Sequence, residues 1–64
     1  MLKITFNKIQ SIVQHGLRQH CLVCYANDAQ KSEYHTILIF GPDDNDFVHT
    51  KHIKSIEPIK PNEL

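Results

Sequence analysis

Two short stretches carry side chains able to do chemistry. "HCLVC", residues 20–24, sets Cys21 and Cys24 three apart behind a histidine, and "HTKH" sets His49 and His52 three apart. Histidines one helical turn apart can chelate, so Cys21, Cys24, His49 and His52 together would make a Cys₂His₂ zinc set. A metal would also steady a domain this small. Spacing argues against it. The 24 residues between Cys24 and His49 do not match a zinc-finger interval. Leu22 and Val23 favour an extended backbone, which would point the two thiols to opposite faces. Their Cα atoms would lie about 10 Å apart, beyond the roughly 7 Å reach of a disulfide. A redox CxxC needs a helix N-terminus to depress its thiol pKa, and none follows. The expectation is a buried strand with inert core thiols, and the zinc-stabilised module is the lesser alternative.

Catalysis finds less support. A Cys–His nucleophile needs a cleft and a base in reach, and no pattern here supplies either. Asp43, Asp44, Asn45 and Asp46 lack the alternation, central Gly and terminal Glu of a calcium loop, and read as a turn. Only Gly16 and Gly41 are present, too few for a phosphate loop. The sequence therefore predicts no enzyme, no catalytic residue and no cofactor.

Binding remains. For nucleic acid the candidates are Lys3, Lys8, Arg18, Lys51, Lys54 and Lys60, with Tyr25, Tyr34 and Phe47 as stacking platforms. Against this, Lys+Arg and Asp+Glu are both 7 in the 64 residues. The charges are segregated all the same. Residues 1–27 hold Lys3, Lys8 and Arg18 and no acid, whereas residues 28–46 hold Asp28, Glu33, Asp43, Asp44 and Asp46 against Lys31. Hydrophobic residues make up 41% and charged residues 22%, the mixture of one small globular domain. No apolar run approaches the roughly 18 residues of a membrane span, so a cytoplasmic protein without membrane contact is expected.

The elements that must position these residues follow from periodicity. "LKITF" alternates as a half-buried strand. In "NKIQSIVQHG", Ile9, Ile12 and Val13 follow helical spacing, Asn7 and Gln10 match a capping box, and Gly16 suits a C-terminal cap; a short helix over residues 8–15 is predicted. A long strand follows from Leu17 to Asn27. "YHTILIF" reads as a central strand apolar on both faces, with Ile37, Ile39 and Phe40 buried. "GPDDND" is a turn, "FVHT" a short strand, "KHI" a single helical turn, "KSIEPI" a last strand and residues 60–64 a loose tail.

The segment "EYHTILIFGPDDNDFVHTKHIKSIEPI" resembles the closing half of an SH3-like small barrel, in which a hairpin, a one-turn 3₁₀ segment and a last strand close onto the first strand. A helix ahead of a long first barrel strand is similar to the Sm-like variant. The resemblance covers residues 17–59 and concerns the fold alone, since such barrels host many unrelated functions. It implies an α+β protein: an SH3-like or Sm-like β-barrel of about five short strands with one short N-terminal helix.

On such a scaffold the leading expectation is a non-enzymatic binding module that contacts another protein, or itself as a homo-oligomer, through a strand edge or an uncovered apolar patch. The alternative is a nucleic-acid-binding barrel using the basic N-terminal segment and the Lys51/Lys54 face. His35, His49 and His52 lie in or beside the proposed hairpin and turn, where mild acidification would add positive charge.

Overall fold

The computed structural model describes residues 1–60. Six strands run in order: β1 Leu2–Gln14, β2 Leu17–Ala26, β3 Asp28–Lys31, β4 His35–Gly41, β5 Asp44–His49 and β6 Ile53–Pro58. One 3₁₀ turn, Thr50–His52, joins the last two. The strands form two three-stranded antiparallel sheets, ordered β2-β1-β6 and β3-β4-β5. This corrects the α+β barrel suggested by the sequence: the described residues contain no α-helix, and two open sheets stand in place of a closed five-stranded barrel. Of the expected tail, Lys60 is exposed and outside any strand, and residues 61–64 lie outside the described residues.

Residues 8–15 show why the helix fails. Three β-branched residues, Ile9, Ile12 and Val13, lose side-chain freedom in a helix and suit extended backbone. The apparent capping residues serve otherwise: Asn7 donates its Nδ2 to the Lys51 carbonyl at 3.1 Å, and Gln10 donates to the Lys8 carbonyl at 3.2 Å. Gly16 does take a positive φ of 77°, but so does His15 at 53°. Two positive φ values in succession make a type I′ turn, which joins β1 to β2 with Gln14 opposite Leu17.

β1 is also bent. Thr5 faces Val23 and Gln10 faces Cys21, so an advance of five residues on β1 matches two on β2. The surplus is a bulge, which increases twist and turns the strand. Its far arm thereby reaches β5. Val13 N donates to Asp46 Oδ2 at 2.9 Å, and His15 N donates to Asp44 Oδ2 at 2.9 Å. The His15 Nδ1 lies 2.9 Å from that same Asp44 oxygen. Carboxylates, rather than a backbone ladder, link β1 to β5.

Two other joints hold the sheets together. Asn27 alone separates β2 from β3 and forms a corner between the sheets. Its N–H donates to the Ile39 carbonyl at 2.8 Å and its Nδ2 to the Phe40 carbonyl at 3.1 Å. The 3₁₀ turn docks on the β3–β4 loop: Thr50 donates from N to the Tyr34 carbonyl at 2.9 Å and from Oγ1 to the Ser32 carbonyl at 2.8 Å. Buried Thr36 shares a 2.9 Å hydrogen bond with the Thr50 hydroxyl, so its burial leaves no polar group unmet.

The core comprises Ile4, Phe6, Ile12, Cys24, Ala26, Leu38, Phe40 and Val48. β4 is central in its sheet as the sequence suggests, but only one of its faces is covered. Thr36, Leu38 and Phe40 point inward, whereas Ile39 is half-buried and Ile37 is 40% exposed. The unbroken apolar run therefore misleads: half of it lines the outside.

Candidate functional site

The outer face of β3-β4-β5 reads in three rows set by register. Asp28, Ile39 and Asn45 form the first, Gln30, Ile37 and Phe47 the second, and His35 and His49 the third. Period-2 alternation dictates this arrangement, since burying Thr36, Leu38 and Phe40 turns His35, Ile37 and Ile39 outward. Phe47 is 65% exposed beside Ile37, so the middle row presents an apolar surface to solvent.

Rings continue from it toward the 3₁₀ turn. His35 meets Phe47 edge-on at 5.8 Å between centroids, lies 5.0 Å from His49, and His49 lies 5.5 Å from His52. His52 is half-buried, and its Nδ1 is shielded from solvent with no hydrogen-bond partner. Its imidazole is held below the usual histidine range, chiefly by partial burial, with Lys8, Lys51 and His49 adding positive charge nearby. The fold thus brings Lys8 from the β1 bulge to Lys51 of the turn. Tyr34, 70% exposed, is tied to the same end through its carbonyl and Thr50.

The remaining sequence candidates scatter. Lys3 lies on the other sheet between Tyr25 of β2 and Glu57 of β6. Arg18 donates to the Ser11 hydroxyl at 2.7 Å on the β1–β2 arm. Lys54 is the extra residue of a bulge in β6, where Thr5 pairs with Ser55 and Phe6 with Ile53. Of the six basic candidates, Lys8 and Lys51 meet beside His52, at the end of the ring chain that starts from Phe47, and Lys3 stands opposite Tyr25 on the other sheet.

The cysteines are free. Cys24 belongs to the core, and Cys21 packs against the same cluster from its margin instead of facing away from it. Burial pushes both thiols up, Cys24 to about 12 with a contribution from Cys21, so neither is a ready thiolate. Cys21, Cys24, His49 and His52 are not brought together, and the described residues hold no group of three or more potential metal ligands.

Sequence reasoning missed Ile37 and Asp28 as surface partners. The unbroken apolar run of "YHTILIF" holds no signal that separates Ile37 from Leu38, and Asp28 joins the face only through the β3–β4 register. No family model matches the chain, and no curated protein or solved structure matches it. No helix among the described residues is long and apolar enough to cross a membrane.

Proposed function

We propose that the chain is a non-enzymatic binding module that contacts protein through the outer face of β3-β4-β5. The observation that carries this reading is the adjacent exposed pair Ile37 and Phe47, extended by half-buried Ile39 and framed by Asp28 and Asn45 on one side and His35 and His49 on the other. An apolar centre with a polar rim is the usual anatomy of a protein contact, and an exposed aromatic at its middle is the usual energetic anchor. The neutral balance of 7 basic and 7 acidic residues agrees with it.

Photo-crosslinking in cells tests the reading, with p-benzoylphenylalanine in place of Asn45. A protein adduct of defined mass is expected, and it should vanish when Phe47→Ser is added. Absence of any Phe47-dependent protein adduct would overturn the reading. A second reading, nucleic-acid binding, draws on the meeting of Lys8 and Lys51 beside His52 and the ring chain. Such binding would weaken steeply with salt through counterion release, whereas apolar contact would respond little.

A further inference from the structure

Resting on the reading of this face as a protein contact, we propose that its occupant is a second copy of the chain. The two copies dock face to face and antiparallel about a two-fold axis through the Ile37–Phe47 row. Each copy then sets its Asp28–Asn45 row against the His35–His49 row of the other.

The charge layout carries the inference. One end of the face has Asp28, with Asp43 in the adjoining β4–β5 turn; the other has His35 and His49, backed by Lys51 and Lys8. Lys31 and Glu33, near the imidazole end, are of opposite sign and leave its polarity unchanged. A surface with unlike ends and an apolar middle is complementary to itself when reversed, and repels itself when stacked in parallel. That is the requirement of an isologous two-fold interface, in which each contact occurs twice.

Dimensions agree. Rows two residues apart are separated by about 7 Å, and stacked sheets lie about 10 Å apart, within reach of Asp and His side chains from opposite faces. Asp28 keeps a free oxygen for this, since only its Oδ1 accepts from the Ala29 amide, at 2.8 Å. The zero formal net charge leaves no long-range repulsion between copies and no general attraction to a polyanion. A domain of this size also gains from covering apolar surface that its own core cannot reach.

Sedimentation equilibrium of the purified chain at low salt and pH 7, where the formal net charge is zero and Lys8 and Lys51 make the imidazole end positive, tests the proposal. The parent is expected to dimerise, and Phe47→Ser to be monomeric. Asp28→Lys and His35→Asp should each weaken self-association at least about tenfold, because the two-fold lays β3 over β3 and β4 over β4 and makes positions 28 and 35 of opposite copies diagonal neighbours, so the introduced charge meets an end of its own sign twice per dimer. Their equimolar mixture should recover a heterodimer, because the introduced lysine then lies diagonally opposite the introduced aspartate. Circular dichroism checks the fold of each variant; should Asp28→Lys not fold, Asn45→Lys places the same charge in the same row.

A parent that stays monomeric up to about 1 mM, weaker than any specific contact of use, overturns the proposal. A dimer that survives Phe47→Ser overturns the face, and a mixture that recovers nothing overturns the antiparallel arrangement. Salt-sensitive retention on a single-stranded oligonucleotide by a monomeric chain also overturns it. A monomer that still gives the Phe47-dependent adduct in cells overturns only the second copy and leaves the protein-contact reading standing; loss of both overturns both.

Discussion

Replacing Asp46 by Ala removes one carboxylate, and the consequences can be worked from what its two oxygens hold. Oδ2 accepts from Val13 N at 2.9 Å across the gap between β1 and β5, and Oδ1 accepts from Phe47 N at 2.7 Å within its own strand. Water readily replaces the second bond, which is exposed. The first is partly buried, and Val13 N would lose its partner. A hydrogen bond to a charged group contributes about 1.5–3 kcal/mol net, and partial solvation places this one at about 1.5–2 kcal/mol. For a domain of this size each kcal/mol moves Tm by about 4–8 °C, so Asp46→Ala should melt roughly 6–16 °C below the parent. Asp46→Asn keeps an acceptor and should lose less than half as much. Thermal melts followed by circular dichroism give the stability, and amide hydrogen exchange at Val13 gives the location. If Asp46→Ala melts within about 2 °C of the parent, or Val13 exchange does not accelerate, the carboxylate link between the sheets is not what holds them.

Three further outcomes follow from the same geometry. Phe40, buried on the inner face of β4, should cost about 3–5 kcal/mol when cut to Ala, a large part of a small domain's stability; a melt matching the parent would remove it from the core. Cys24 keeps its proton in the folded chain up to about pH 12, against 9.0 for an unshifted thiol. Stability from that thiol is therefore complete below pH 9.0 and is lost as pH rises toward 12, because the unfolded chain releases the proton first. Urea titrations of parent and Cys24→Ala over that range should converge as pH rises; parallel curves would contradict the shift. His52 has the opposite sign: its folded pKa lies below 6.5, so its contribution is present above 6.5 and declines as pH falls through the lowered value. An NMR titration that places its ring protons at or above 6.5 would show that Lys8, Lys51 and burial do not act on it as described.

Much of the strand order can be read from the residues, and the exceptions have a common cause. The turn "GPDDND" narrows to Pro42 and Asp43, since Asp44, Asn45 and Asp46 open β5, and the single turn sits at Thr50–His52, one residue before "KHI"; alternation in "LKITF" falls where the sequence suggests it. Residues 8–15 did not, because Asn7, Gln10 and Gly16 suit a capped helix and a bulged hairpin equally well. Contacts from Lys51 and Asp44, distant in sequence, decide between the two. Ile37 was read as buried since an apolar run does not say how many faces are covered. The candidate face depends still more on pairing: Asp28, Ile37 and His49 come from three strands, and only register puts them in successive rows.

The pairing of β1 with β6 sets Leu2 opposite Pro58, and Ile59 N donates to the Met1 carbonyl at 3.0 Å. Residues from the two ends of the described chain must therefore meet before that sheet exists. Residues 28–49, by contrast, build β3-β4-β5 from neighbouring strands. Loop-closure entropy grows with the length enclosed, so local pairings form readily and the β1–β6 pairing comes late. Changes in β6 should then speed unfolding more than they slow folding. The three-row face sits wholly on the early half. A chain can present it, and meet a partner on it, before its own ends have met.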